Sequence, residues 1–188
     1  MRVQKTKQMV QVALFSGILC VLAPFTLPVP VSPVPLSLAT FVVYLAAVLL
    51  GAKQGVVCVL VYLLLGAVGL PVFSSFSGGI GVLLGPTGGY LIGYVVCAVL
   101  VGWLTEAKCF EKVFFGRKFV KNILAMCLGT LACYYIGTVW FMVVMSGSYT
   151  IAQALLVCVV PYLLFDLVKI LAAAAVAGPV KRILRNRE

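Results

Sequence analysis

Apolar segments of membrane-spanning character alternate with short polar, proline-rich or glycine-rich stretches along nearly the whole chain. The segments cover approximately residues 7–23, 36–50, 55–70, 86–104, 122–145 and 151–179. A helix of roughly 20 apolar residues spans the hydrocarbon core of a bilayer, so the second and third segments are short for this role. The pattern predicts an all-α membrane protein with six transmembrane helices, in which residues 1–188 form a single transmembrane domain.

The composition and the charge pattern agree with a membrane protein. Hydrophobic residues make up 64% of the chain, well above the roughly 45–50% that is typical of soluble domains. The net charge is +10, but the basic residues cluster near 2–7, 53, 108–121 and 181–187, and the loops 24–35, 71–86 and 146–150 are uncharged. This is the positive-inside asymmetry, which predicts that both termini are cytoplasmic. The clusters favour contact with anionic membrane lipid rather than nucleic acid.

The last apolar segment contains Asp166 and Lys169, the two charged residues that this pattern places at membrane depth. At a spacing of three residues they share one side of a helix. A charge at the bilayer centre costs roughly 2.5–3.5 kcal/mol on insertion scales, so such residues usually face the protein interior, pair with another group and mark a substrate path. Two interpretations remain open: a structural ion pair, and a pair that holds a polar ligand.

Two of the uncharged loops have compositions that exclude a regular helix. Residues 24–35 contain five prolines, which favour a stiff, extended segment that either covers the mouth of a pocket or only connects two helices. Residues 69–90 contain seven glycines. Irregular backbone near a membrane is tolerated where it is buried in protein or lines a cavity, and glycine permits close approach to a ligand. We therefore expect this loop to contribute to a binding site, with candidates Gly79, Gly85, Thr87 and Gly88.

Two helix faces carry further candidates. Ala13 and Gly17 form a small-xxx-small pair in the first segment, which lets either an internal helix or a separate subunit approach closely. The fifth segment is rich in aromatic residues near its end, namely Tyr134, Tyr135, Trp140 and Phe141. These rings form an aromatic belt at the membrane interface or wall a pocket, and the sequence leaves both possibilities open.

Several classes of function lack the residues that they require. The chain contains no histidine and four acidic residues, which excludes Ser-His-Asp and Cys-His catalysis and leaves Asp166 without a second carboxylate at depth. It has no Gly-x-x-x-x-Gly-Lys-Ser/Thr phosphate loop. Its seven cysteines form no Cys-x-x-Cys pair, so no zinc site is expected. We expect no enzyme activity, no catalytic residues, and no cofactor or metal.

Three stretches together resemble the BioY family. They are Gly69–Phe73 followed by Gly78-Gly79, the run from Gly85 to Tyr90, and Pro161–Lys169 with its Asp-x-x-Lys spacing. The likeness extends essentially end to end in length, number of spans and order of motifs. Members of this family are biotin-binding substrate subunits, called S-components, of energy-coupling factor (ECF) vitamin transporters.

The resemblance implies a compact, S-component-like bundle of six helices in the bacterial cell membrane that captures biotin from the outer side. Uptake would then require an ECF transmembrane coupling protein and a pair of cytoplasmic ATPases. The first helices of S-components meet the coupling protein through a small-residue motif, and the pair Ala13 and Gly17 resembles that motif.

The resemblance also implies roles for the candidate site residues. Asp166 would accept hydrogen bonds from the ureido N–H groups of biotin. Lys169 would contact the ureido carbonyl or the carboxylate of biotin, or hold Asp166 in place. The glycine-rich loop would offer backbone N–H groups to the carboxylate. Aromatic rings would pack on the bicyclic head, with candidates Phe73, Tyr90, Tyr135 and Trp140.

Other functions remain open at this point. The chain could be an S-component for a different vitamin. It could also be a channel or a stand-alone proton-coupled carrier that uses Asp166 and Lys169, although titratable groups are sparse. A membrane enzyme is a further class, against which the missing nucleophile–base sets count.

Overall fold

The computed structural model describes residues 2–29, 34–107, 118–145 and 149–185 of the chain. The helices in these ranges are α1 (Arg2–Leu22), α2 (Ala39–Leu50), α3 (Ala52–Ala67), α4 (Ile80–Leu84), α5 (Gly88–Glu106), α6 (Lys118–Val144), α7 (Ile151–Cys158) and α8 (Val160–Arg185). Three of these described helices are long and apolar enough to cross a membrane: α5, α6 and the Val160–Lys181 part of α8. The predominantly helical class predicted from the sequence is confirmed.

Helices α5 and α6 pack closely because glycines of each helix face side chains of the other. Gly93 of α5 lies against Cys133 of α6, and Gly129 of α6 lies against Cys97 of α5. Gly137 likewise faces the ring of Tyr90. Small residues let membrane helices approach each other to this degree, because no side chain separates the two backbones. The α5–α6 pair is therefore a tightly joined part of the bundle.

Helix α2 lies at the buried centre of the bundle. It contacts α1, α3, α5 and α8, and most of its side chains from Val42 to Val48 are at most 2% exposed, Leu45 excepted. A helix that is hydrophobic all round is a buried helix. This explains why a helix of 12 residues is sufficient here: its surroundings are mainly protein, so it does not have to match the thickness of a bilayer by itself.

The loops between α1 and α2 and between α3 and α5 meet at one end of the bundle, which we call the loop end. Strand β1 (Thr26–Leu27) pairs antiparallel with β2 (Leu36–Ser37) and closes the proline-rich segment; its residues 30–33 lie outside the described ranges. The backbone N–H of Ser75 donates to the Pro24 carbonyl at 3.1 Å. These contacts tie the two loops together.

The glycine-rich loop is irregular, as its composition predicts. It contains a 3-10 turn at Ser74–Phe76 and the short helix α4. Positive φ angles occur at Gly69 (107°), Ser75 (58°), Phe76 (56°) and Gly79 (97°). Glycine adopts this left-handed region without a steric penalty, whereas Ser75 and Phe76 do so at a cost. Contacts to the neighbouring loop hold these two residues, including an edge-on contact of Phe76 with Phe25 at 5.5 Å between ring centroids.

The last apolar segment forms two helices, so the expectation of one helix over 151–179 is wrong. Helix α7 ends at Cys158 and α8 begins at Val160, and Val159 between them has φ −123° and ψ −54°. Pro161 accounts for the break, because proline lacks an amide hydrogen and its ring clashes with the preceding turn of a helix. The break separates α7, which packs on α6, from α8, which packs on both α2 and α6.

The opposite end of the bundle carries lysines that cap the carboxyl ends of helices. Lys121 Nζ donates to the Ala107 carbonyl at 2.8 Å, and Lys181 Nζ donates to the Val48 carbonyl at 3.3 Å. Cations are favoured at these positions by the helix dipole. The clustering of basic residues in the sequence therefore corresponds to a difference in charge between the two ends of the described bundle. The basic residues predicted at 108–117 lie outside the described ranges.

Replacing Gly102 with Ala tests the close packing of α5 against the turn between α2 and α3. A Cβ at this position would overlap the backbone of Ala52, so the helices would have to move apart. We expect Gly102→Ala to lower the thermal unfolding midpoint of the detergent-solubilised protein, with an overpacking cost of about 1–3 kcal/mol. Gly178→Ala is the matched control, because Gly178 is helical and has open space around it. A drop of similar size in both variants would contradict the packing explanation.

Candidate functional site

A cavity extends from the loop end into the bundle. Its walls come mainly from α2, α5, α6 and α8, and residues of both loops complete the mouth. The lining is mostly apolar and aromatic, with a few polar groups in fixed positions, as is typical of pockets that bind a small organic ligand.

Lys169 contributes the positive charge of the cavity wall and is 8% exposed. Its Nζ donates to the Ser37 carbonyl at 2.6 Å, to Thr40 Oγ1 at 3.2 Å and to Asp166 Oδ1 at 2.9 Å. An ammonium group has three protons to donate. All three are therefore used by acceptors within the protein, which compensates for removing this charge from water.

Asp166 supplies the negative charge, is 5% exposed and also lines the cavity. Its Oδ1 accepts from Lys169 and from the Thr40 hydroxyl, the latter at 3.4 Å. Its Oδ2 accepts a hydrogen bond from the hydroxyl of Tyr134. A carboxylate offers about four lone-pair positions. Three are occupied by these donors, so Oδ2 retains acceptor capacity for a ligand.

Three elements that are distant in sequence assemble this polar centre. Helix α8 carries both charges, α6 provides Tyr134, and the start of α2 provides Thr40 with the adjacent Ser37 carbonyl. The Ser37 hydroxyl donates to the Ala23 carbonyl at 2.9 Å and accepts from the Ala39 N–H at 3.0 Å. These bonds hold the chain at the point where β2 turns into α2. The Ser37 carbonyl is thereby kept in reach of Lys169.

A second polar layer lies one helical turn beyond this centre. Tyr44 and Thr130 join α2 to α6 through their hydroxyls, which are 2.6 Å apart. The Thr130 hydroxyl donates to the Met126 carbonyl at 2.7 Å, so Tyr44 is the donor in the pair. Cys97 and Cys133 complete the wall beside them. The hydroxyl protons of Tyr44 and Thr130 are thus used within the protein, and the two cysteine side chains add sulfur atoms to this part of the wall.

Five of the residues predicted from the sequence line the cavity together: Asp166, Lys169, Phe73, Thr87 and Tyr90. The structure thus brings the charged helix and the glycine-rich loop to one place. Phe73 is fully buried and contacts Tyr62 edge-on at 5.4 Å between ring centroids. The Tyr90 hydroxyl donates to the Cys158 carbonyl at 3.4 Å.

The other predicted residues lie outside the lining that the described residues form. Trp140 Nε1 donates to the Gly85 carbonyl at 3.0 Å, so this ring supports the loop from behind. Gly79 and Gly88 shape the same loop. The Tyr135 side chain is 73% exposed on the outer surface of α6. Ala13 and Gly17 are exposed on α1, away from the cavity, and nothing lies within 4 Å of a Cβ built on Gly17.

Sequence reasoning missed several residues of the site, although a signal for them exists. Thr40 and Tyr44 are four residues apart in α2, Thr130 and Tyr134 are four apart in α6, and Tyr90 and Tyr94 are four apart in α5. Residues at this spacing lie on one face of a helix. A hydroxyl-bearing stripe on an otherwise apolar helix therefore indicates the face that lines a polar cavity.

The described residues contain no cluster of three or more His, Cys, Asp or Glu side chains suited to a metal.

Comparison with known proteins gives consistent results. A profile of the BioY family matches residues 1–186. "Biotin transporter BioY" of Thermotoga maritima is 36% identical over 177 residues, which cover 94% of this chain and 97% of that protein. "Probable biotin transporter BioY" of Pyrococcus horikoshii is 36% identical and covers 92% of this chain and 95% of its own length.

The fold also matches a solved structure. The crystal structure of the S-component for biotin from an ECF-type ABC transporter superposes with a TM-score of 0.85 over 97% of this chain and 94% of its own, at 24% sequence identity. The bundle of this chain is therefore an S-component fold. Together with the end-to-end match of the family profile, this establishes that the chain belongs to the BioY family.

Proposed function

We propose that this chain is the substrate-binding subunit of an ECF-type vitamin transporter and that it binds biotin in the cavity. The observation that carries this proposal is the buried pair of Asp166 and Lys169, which faces a mostly apolar cavity in a member of the BioY family. Biotin is the ligand that the names of its relatives specify.

The chemistry of biotin matches the polar groups of the cavity. Its bicyclic head presents two N–H donors and one carbonyl, and its thioether ring is apolar. The remaining acceptor capacity of Asp166 Oδ2 suits a ureido N–H, because hydrogen bonds to a charged acceptor are about twice as strong as neutral ones. Lys169 uses its protons within the protein, so we assign it the role of fixing the orientation and charge of Asp166. Phe73 and Tyr90 provide aromatic surface for the rings.

The distribution of polar groups favours one orientation of the ligand. Asp166 and Lys169 lie within the bundle, whereas Ser74 and Thr87 line the cavity next to the loop end. The hydroxyls of Ser74 and Thr87 suit the carboxylate at the end of the biotin tail. We therefore place the bicyclic head deep in the cavity and the tail toward the mouth. Gly79, Gly85, Gly88 and Trp140 act by shaping this mouth, and Tyr135 has no part in the proposed site.

We further propose that the chain crosses the membrane six times, through α1, α2, α3, α5, α6 and the combined α7–α8, with both termini in the cytoplasm. The lysine-capped end opposite the loop end supports this orientation, since positive charge is retained on the cytoplasmic side. The loop end then faces the exterior of a bacterial plasma membrane. Biotin enters the cavity from that side.

Energy for uptake comes from partners in this proposal. The sequence contains no nucleotide-binding motif, so ATP is hydrolysed by a separate ATPase pair that acts through a transmembrane coupling protein. Helix α1 is available for that contact. Its buried side chains Ser16 and Leu19 face the bundle, whereas Ala13 and Gly17 are exposed on another side. The small-residue pair therefore does not serve internal packing among the described residues.

Neutralising Asp166 tests its role as the ligand acceptor. Asp166→Asn keeps the shape of the side chain and removes its negative charge. We expect biotin affinity, measured by calorimetry on purified protein, to fall at least about tenfold, which corresponds to about 1.4 kcal/mol. Glu106→Gln is the matched control at the opposite end of the bundle and should bind normally. Unchanged affinity in a folded Asp166→Asn variant would return the pair to a purely structural role.

The mouth of the cavity is tested at two glycines of the loop. Valine strongly disfavours the φ of +97° at Gly79, and a Cβ at Gly88 would overlap the Leu83 carbonyl. We expect Gly79→Val and Gly88→Val to weaken biotin binding while the protein still inserts into the membrane. Gly81→Val is the control, because Gly81 has open space around it and no positive φ. Normal binding of biotin by both loop variants would show that this loop does not line the site.

The exposed face of α1 is tested by adding bulk. Ala13→Trp and Gly17→Trp should abolish co-purification with the coupling protein and ATPases, and with it ATP-dependent uptake, because a close helix contact cannot accommodate the ring. Biotin binding by the isolated variants should persist, since neither residue lines the cavity. Ile18→Trp, at an exposed position about 100° around the helix from Gly17, controls for bulk alone. Loss of binding with assembly intact would show that this face packs internally.

A further inference from the structure

Five tyrosines line the cavity, and four of them use their hydroxyl protons within the protein. Their acceptors are a side-chain or backbone oxygen in each case: Tyr44 donates to Thr130 Oγ1, Tyr90 to the Cys158 carbonyl, Tyr134 to Asp166 Oδ2 and Tyr162 to the Val34 carbonyl. These four hydroxyls therefore have no proton left for a ligand. They hold α2, α6, α7 and the first loop around the cavity.

Tyr94 is the fifth of these tyrosines and differs from the other four. It lies on α5, is 9% exposed and lines the cavity. Among the described residues its hydroxyl has no hydrogen-bond partner. Every side-chain polar atom that the described structure seals completely does have a partner. The Tyr94 hydroxyl is therefore not completely sealed by the described residues, and Tyr94 itself lines the cavity.

Because Tyr94 lines the cavity, its unpaired hydroxyl indicates a group that the ligand supplies. Buried polar groups in native proteins are almost always hydrogen bonded, and the missing partner can come from a bound molecule as well as from the protein. Tyr94 lies one turn from Tyr90 on the same face of α5, and it lines the same cavity as Asp166. A ligand head that binds Asp166 therefore lies in the same cavity as Tyr94.

The other donors of the cavity are either engaged within the protein or lie away from the ligand head, so Tyr94 is the donor that remains for the head. All three protons of Lys169 are directed to Ser37, Thr40 and Asp166, so Lys169 is not free to contact the ligand head. The hydroxyls of Ser74 and Thr87 line the mouth, where the ligand tail lies. On the basis of the proposed function, we infer that the Tyr94 hydroxyl donates a hydrogen bond to the ureido carbonyl oxygen of biotin.

This contact makes Tyr94 a residue that determines specificity. Asp166 requires an N–H donor in the ligand head, and Tyr94 requires an acceptor beside that donor. A cyclic urea satisfies both groups at once. A head that lacks the acceptor leaves the Tyr94 hydroxyl unpaired, and sites with a buried unpaired group discriminate strongly against such ligands.

Tyr94→Phe removes the hydroxyl and keeps the ring. With biotin we expect the dissociation constant of the purified full-length protein to rise at least about tenfold by calorimetry, since a buried acceptor loses its donor. The thiocarbonyl analogue of biotin has a weak acceptor in place of the ureido oxygen. For this analogue the same substitution should change the dissociation constant by less than about threefold. Tyr62→Phe is the matched control, because Tyr62 is also buried (1% exposed) but does not line the cavity, and both ligands should bind this variant normally.

The outcomes separate this inference from the proposed function. Failure of the parent protein to bind biotin overturns the proposed function itself. Normal biotin binding by Tyr94→Phe overturns the inference and leaves the proposed function intact. If Tyr94→Phe weakens the affinity for biotin and for its thiocarbonyl analogue equally, with a normal thermal unfolding midpoint, the assignment of the contact to the carbonyl oxygen is overturned. If Tyr94→Phe lowers the thermal unfolding midpoint and weakens binding of both ligands, the hydroxyl serves the packing of the protein and the inference is overturned.

Discussion

The structure depends on satisfying two opposite charges within an apolar bundle. Asp166 and Lys169 are both almost fully buried, and a buried ion pair is stable only when further hydrogen bonds replace the lost water. Ser37, Thr40 and Tyr134 provide those bonds. Because these groups come from β2, the start of α2 and α6, one electrostatic requirement fixes three distant parts of the chain around α8.

The same requirement accounts for a cavity beside the charged pair instead of a closed core there. The polar groups that hold the pair occupy positions where apolar side chains would otherwise interdigitate. The bundle is tightly packed elsewhere, as at the glycine contacts between α5 and α6. Tight packing around a polar centre keeps the cavity in shape before a ligand arrives, and preorganisation of this kind reduces the cost of binding.

The fold separates two tasks in space. The cavity opens at the loop end, where two irregular loops are tied together by Ser75 and Pro24, whereas the small residues of α1 lie on the outer surface. The ligand contact and the partner contact that we propose therefore use different residues. This separation suits a subunit that captures its substrate alone and relies on other proteins for energy.

Some features of this protein follow from the sequence alone. A membrane-embedded helical class follows from the apolar segments, since only helices satisfy every backbone group in such a stretch. Asp166 and Lys169 identify the centre of the candidate site, because charged side chains in an apolar membrane helix usually face the protein interior or a cavity and pair with another group. The irregular backbone of residues 69–90 follows from their glycines, and Pro161 marks the break that the apolar pattern obscured.

Other features were decided only by the tertiary structure. Tyr134 and Tyr135 are adjacent, yet one binds Asp166 and the other is exposed. Successive residues of a helix point about 100° apart, so the packing of α6 against α5 and α8 selects which of them faces the cavity. Thr40 joins the site because α2 lies beside α8, more than a hundred residues away in the chain. Whether Tyr94 finds a partner depends on the arrangement of every wall of the cavity, and this arrangement exists only once the helices have packed.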